Sequence, residues 1–279
     1  MKVTHDGRQI TVNVASDGDG LVSHAGSALL AQVAEKIGLT RALSRAVGQA
    51  ELRAGSHDRG RVIRDLAVML ADGGDCLADL RAVGDQAVLF GATASPSTAF
   101  RVIDGIATTP GLLGAVRDAH ASARARLWAL TGAPKRLTID LDATLITSTP
   151  TRTGRRAHSK GGYGFHPMLA YGDETGEALA GQLRPGNAGA NTACDQIQVA
   201  EQAVAQIPAE HIENIELLLR VDSAGACHEL LDWCREGQIA FSVGYDLTEA
   251  VRAAILKLAG GVHRFARDSQ SSLPGHLPK

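Results

Sequence analysis

The feature that most constrains this chain is a change of hydrophobic period at Pro134. Before it, apolar residues recur at the spacing of helices with one buried face. After it they alternate, or run together in short β-branched stretches bounded by glycine, which is the pattern of strands. With 279 residues, the chain can bury a separate core on each side of this change. We expect a mainly helical region over 1–132, an α/β region over 133–260 and an unstructured tail over 261–279. The text of the tail, RFARDSQSSLPGHLPK, mixes serine, proline and charge without apolar periodicity.

In the first region, alternation from Arg8 to Val14 predicts one short strand. Leu29, Leu30, Val33, Ala34 and Ile37 predict a helix that Gly38 stops. A second helix is expected from Asp58 to Ala71, ended by Gly73 and Gly74. Short helices follow near 77–83 and 85–90. Ser95 or Ser97 caps another that reaches Ile106, and a longer helix runs from Leu112 to Leu130.

In the second region, LTIDLDATLI (Leu137 to Ile146) reads as a strand, as do Gly164 to Tyr171 and Glu177 to Leu183. The last two are joined by the turn sequence GDETG, so the three form an antiparallel meander. A helix over 192–207 leads to IELLLRV (Ile215 to Val221), expected as a central strand buried on both faces and ending on Asp222. Helix, strand and helix complete the order β-β-β-α-β-α-β-α.

Composition narrows the function classes. A 44% hydrophobic fraction with 21% charged residues belongs to a folded chain. The net charge of -2 carries no global nucleic-acid signature, so DNA contacts would have to come from local basic stretches. Cys76, Cys194, Cys227 and Cys234 show no CxxC or zinc-ligand spacing and read as reduced thiols. No basic start precedes an apolar run, and no stretch approaches the ~20 apolar residues of a membrane span. A cytoplasmic protein is expected.

The chemistry lies in carboxylates. Asp140 and Asp142 project from one face of their strand, and an acid on an apolar strand must be paired, protonated or metal-bound. Asp222 ends a strand and is followed by Ser223, Ala224 and Gly225, whose small side chains leave room for a ligand. In such a meander the first and fourth strands are commonly neighbours, which would bring Asp142 and Asp222 together. Paired carboxylates repel, and a divalent cation relieves the conflict; oxygen ligands favour Mg²⁺ or Mn²⁺. The plainer reading makes Asp142 the start of a turn and Asp222 a helix cap. Arg152, Arg155, Arg156, His158 and Lys160 stand in a glycine-containing loop suited to phosphate contact, and Arg184 and Asn187 follow the third strand as further DNA-contact candidates. His166 reads as a structural histidine.

Four segments in order, IDLDATL, KGGYGFHPMLAY, LRPGNAGAN and LLLRVDSAGACHELLDWC, resemble the DDE-type transposases of bacterial insertion sequences. DRGRVIRDLAVMLADGGDCLADL and FGATASPSTAFRVID extend the likeness over about Gly26 to Leu258. The resemblance implies an RNase H-like catalytic domain behind a helical region that recognises transposon ends. It places the first catalytic aspartate on Asp142, with Asp140 as the alternative, and the second on Asp222. Both would bind Mg²⁺ or Mn²⁺ for DNA cleavage and strand transfer. The family's third acid is a downstream glutamate whose motif is not found here, and Glu249 reads instead as a helix N-terminal carboxylate. A truncated, catalytically impaired chain is therefore expected, with a DNA-binding remnant or an RNase H-like nuclease as alternatives. The implied partners are terminal inverted repeats, target DNA and a second copy in a homodimer, placing the chain at the nucleoid when bound.

Overall fold

The structure, a computed structural model, describes residues 2–5, 8–11, 25–48, 57–148, 156–157, 162–189 and 192–257. It divides into two compact units, Met1–Ala133 with Gln206–Glu213, and Pro134–Ala205 with Asn214–Lys279. The tail expected over 261–279 lies outside the described residues, as does the end of the strand expected over 8–14.

The first unit opens with an antiparallel pair, β1 (Lys2–His5) and β2 (Arg8–Thr11), where the pattern predicted a single strand. Among the described residues, seven helices follow: α1 (Ser27–Lys36), α2 (Leu39–Val47), α3 (Arg59–Ala71), α4 (Leu80–Gly84), α5 (Ala87–Phe90), α6 (Pro96–Thr108) and α7 (Leu112–Thr131). Asp58 caps α3 by accepting the Arg61 N–H at 2.7 Å, and Ser95 caps α6 by accepting the Thr98 N–H at 3.3 Å. Helix α2 was not anticipated. Gly38, at φ +74°, does end α1, but the chain re-enters a helix at once and buries Leu43 and Val47. Val62, Leu66, Met69, Leu80, Phe90 and Val102 form much of the core.

The second unit carries β3 (Arg136–Ala143), β4 (Ile146–Thr147), β5 (Arg156–Ala157), β6 (Tyr163–Phe165), β7 (Met168–Gly172), β8 (Glu177–Gln182) and α8 (Ala193–Val204). After α9 (Ala209–Ile212), which belongs to the first unit, come β9 (Glu216–Val221), α10 (His228–Glu236), β10 (Ala240–Val243) and α11 (Glu249–Lys257). The main sheet runs β10-β9-β3-β7-β8. β3, β7 and β8 are an antiparallel meander, while β9 lies parallel to β3, and β10 parallel to β9. This is the RNase H-like arrangement.

Two expectations are corrected. The central strand is β3, not β9. β9 buries Leu219 and Val221 toward the helices but leaves Arg220 exposed on its other face. The strand expected over 164–171 is broken at His166–Pro167, because Pro167 has no N–H for a ladder. β6 turns away into a second sheet, β4-β6-β5, and β7 enters the main one. Gly164 permits this, since a Cβ there would collide with the Ile146 carbonyl oxygen.

Helix α8 packs on β3, β7 and β8, and α10 packs on α8 and β10. Val199, Ala200, Ala203, Leu230 and Cys234 are buried with Leu137, Ile139, Leu141, Leu219 and Val221. Burial pushes the Cys234 thiol up to about 11, so it is a packing residue at neutral pH. Strand alternation then commits the even-numbered residues of β3 and β9 to the opposite face. Among the described residues, no helix is long and apolar enough to cross a membrane.

Candidate metal centre

Parallel pairing of β3 with β9 sets Asp140 opposite Arg220 and Leu141 opposite Val221. The next residue on each strand is an aspartate, Asp142 on β3 and Asp222 just past β9. Neighbouring strands lie about 4.8 Å apart, so the two carboxylates stand side by side at the C-terminal end of the sheet. Both are exposed. They share the wall of a small cavity of about 40 Å³ with Gln196, Met168 and Gly225. They also line a wider cleft of about 590 Å³ with Asp140, Leu169, Tyr171 and Arg220.

The backbone beyond β9 is shaped for this position. Asp222 is extended and its Oδ1 accepts the Gly225 N–H at 2.9 Å, capping the 3₁₀ turn Ser223–Gly225 rather than α10. The cap expected for the following helix is thus a cap of this turn instead, and it occupies one carboxylate oxygen. Gly244 donates to the Val221 carbonyl at 3.1 Å, and a Cβ on Gly244 would lie 2.7 Å from the Ser223 nitrogen. Glycine is what lets the end of β10 approach this turn.

Asp140 has a different environment. Arg220 donates to both its oxygens, through Nε at 2.5 Å and Nη2 at 2.6 Å, and reaches Asp173 at 3.1 Å. The hydrogen bond to Asp140, with the charges of Asp140 and Asp173, raises the Arg220 pKa above its usual range. The bidentate pair satisfies Asp140, the alternative first ligand, with a fixed cation. Sequence reasoning missed Arg220. The signal was present, since RVD places a cation two residues before Asp222 just as DLD places an acid two residues before Asp142, but reading it requires the strand register.

The donor set fits a hard divalent ion, since two neighbouring carboxylates on a sheet face open to solvent supply oxygen ligands. Among the described residues, the only three potential ligand side chains with donor atoms all within 4.8 Å are Asp75, Cys76 and Asp79. There Asp79 accepts the Asp75 and Cys76 N–H groups at 3.0 Å each, which holds its carboxyl below the usual range and accounts for it as a turn cap. Among the described residues, Asp142 and Asp222 belong to no group of three ligand side chains lying that close together, and Glu249 is exposed in the first turn of α11.

The DNA-contact candidates separate. Arg152, Arg155, His158 and Lys160 lie outside the described residues, and Arg156 is exposed on β5. Arg184 is instead buried. It donates to the His166 and Gly189 carbonyls and to Asp195, each at 2.9 Å, so its guanidinium ties the β8–α8 connection together rather than facing solvent. Asn187 is exposed beside it. His166 places Nδ1 2.7 Å from the Ala188 carbonyl, as a structural histidine does. In the helical unit, Arg61 donates to the Phe90 carbonyl and Arg64 is buried against Asp65, so both serve the fold.

The sequence model of the family described as transposase DDE domain group 1 matches residues 4–273. Comparison with curated proteins gives no match. Among solved structures, the chain is similar to the HTLV-2 integrase catalytic core domain in complex with magnesium, at 16% identity over 50% of this chain and 77% of that one, with a TM-score of 0.27. It is also similar to two Mos1 complexes. For the Mos1 transposase paired-end complex with left transposon end, identity is 9% over 81% of this chain and 75% of that one, with a TM-score of 0.27. For the Mos1 mariner paired end complex with Mn, identity is 9% over 92% and 83%, with a TM-score of 0.29. The family match over residues 4–273, on a chain whose first and fourth sheet strands end in adjacent aspartates, makes this protein a member of the transposase DDE domain group 1 family.

Proposed function

We propose that this chain acts on DNA as an insertion-sequence transposase, with Asp142 and Asp222 as the carboxylates that hold Mg²⁺ or Mn²⁺ at the reacting phosphate. The observation that carries this reading is the β3–β9 register, which puts the two acids next to each other at the strand ends. When bound, the ion polarises a phosphoryl oxygen and lowers the pKa of the attacking hydroxyl, first of water and then of a DNA 3′ end. The chain's own residues provide placement and charge balance. Asp142 stands on the middle strand of the sheet, and Asp222 is oriented by the Gly225 N–H. Arg220 neutralises Asp140, so the cleft facing a polyanion does not carry a third uncompensated acid.

Arg152, Arg155, Arg156 and Lys160 are the proposed phosphate contacts and Asn187 an additional one, while the helical region over 1–132 recognises the inverted repeats. The partners are transposon-end and target DNA, with a second copy of the chain in the working assembly. A second reading is DNA binding without cleavage. Labelled DNA carrying the inverted repeats that flank the gene tests both. Mg²⁺-dependent nicking and joining by the wild type, lost in Asp142→Asn, supports the transposase. Hydrolysis without joining indicates a nuclease, and retained DNA binding with no cleavage indicates the binding-only protein.

A further inference from the structure

Gln196 is a polar side chain of α8 that reaches the candidate metal centre. It sits in the first turns of α8, is 1% exposed, and lines the small cavity with Asp142 and Asp222. Its Nε2 donates to the Gly225 carbonyl at 2.6 Å, and its Oε1 accepts the Cys227 thiol at 3.0 Å. The amide orientation is chemically determined, because a carbonyl oxygen only accepts and the nitrogen must face it. The same Gly225 donates its N–H to Asp222 Oδ1. A continuous path therefore runs from Cys227 through Gln196 and Gly225 to Asp222.

We propose that Gln196 is a positioning residue for the metal-binding carboxylate of Asp222. It holds the carbonyl of Gly225 and so restrains that residue's backbone, whose N–H, in the preceding peptide, occupies Oδ1 and sets the rotation at which Oδ2 is presented to the cation. Two features argue against a merely space-filling amide. The fit around Gly225 is close, since a Cβ there would lie 3.2 Å from Gln196 Nε2 and 3.4 Å from Asp222 Oδ1. A buried amide with no such role would also be replaceable by a hydrocarbon of equal size at the α8–sheet contact, where its neighbours Val199, Ala200 and Ala203 are apolar. The residues that orient metal ligands commonly change affinity tenfold or more when removed. The inference rests on the reading of Asp142 and Asp222 as metal ligands.

The test measures Mn²⁺ binding by electron paramagnetic resonance in the full chain, well below the melting temperature of every variant. Gln196→Met keeps the length of the side chain and removes its donor and acceptor. About tenfold weaker Mn²⁺ binding is expected. Gln206→Met, which alters a buried glutamine of the helical unit, is expected to lower the melting temperature and leave Mn²⁺ affinity unchanged. Unchanged affinity in folded Gln196→Met overturns the proposal, as does an equal loss in Gln206→Met. Should Gln196→Met not fold, Cys227→Ala asks the same question by freeing the far end of the amide. A two- to threefold weakening is expected, and none overturns it. Wild type that binds no Mn²⁺, or binds it as tightly as Asp222→Asn, removes the metal-centre reading itself and the proposal with it.

Discussion

Asp140 and Asp142 are two residues apart on one strand face, and the partner across the sheet separates their roles. Asp140 meets the Arg220 guanidinium, while Asp142 shares its cavity with a second carboxylate, that of Asp222. From this, Asp140→Asn is expected to leave Mn²⁺ affinity within about twofold of wild type, whereas Asp142→Asn weakens it at least tenfold. Titration calorimetry distinguishes them, and the reverse order would make Asp140 the ligand. Arg220→Ala should leave Asp140 without its cation in the cleft it shares with Asp142 and tighten Mn²⁺ binding, because an unneutralised carboxylate then stands beside Asp142. At this scale the aspartates were legible from their spacing and from the motifs around them. Arg220 and Gln196 were not. Each acts through a residue that is distant in sequence, and only the β3–β9 register or the docking of α8 shows which one.

Most elements were legible because their punctuation is local. The turn at 172–176 joins β7 to β8 as its glycines require, and the Asp58 and Ser95 caps open α3 and α6. Helix α2 was hidden because Gly38 serves both as the end of one helix and the residue before the next. The turn at 172–176 also carries a clamp. Glu174 accepts the Thr138 N–H at 2.6 Å and the Thr138 hydroxyl at 2.8 Å. Its burial opposes ionisation, but these bonds prevail and hold its pKa below the usual 4.5. A depressed carboxyl stabilises the fold above its unfolded pKa, and that contribution is lost as pH falls through the folded value. Glu174→Gln should cost ~1 kcal/mol at pH 7, a modest figure because the group is largely exposed. In urea unfolding the gap to wild type should narrow as the pH drops below about 4.5; a gap independent of pH would refute the clamp. The sheet β4-β6-β5 makes a steric prediction. A Cβ on Gly186 would stand 2.6 Å from the Arg156 carbonyl oxygen and 2.7 Å from that of Gly164. Gly186→Ala should therefore destabilise by about 1–3 kcal/mol, read by thermal unfolding.

For the whole molecule, the change of period at Pro134 coincides with the passage from helices to strands, and gives no sign that Gln206–Glu213 belongs to the first unit. No local pattern could reveal it. The link is Arg124, buried in α7, whose Nη1 donates to the Gln206 backbone carbonyl at 2.9 Å, together with Trp128 packed edge-on to His211 at 5.8 Å. A fragment ending at residue 133 leaves that buried guanidinium short of acceptors. It should unfold at lower denaturant than the same unit in the full chain. The central claim concerns the adjacent acids of the second unit, and crystals of the full chain soaked in Mn²⁺ test it most directly. The account predicts an anomalous peak about 2.1 Å from carboxylate oxygens of both Asp142 and Asp222, absent in Asp222→Asn. A peak on Asp140, a peak on Asp75 and Asp79 alone, or none at saturating Mn²⁺ would contradict it.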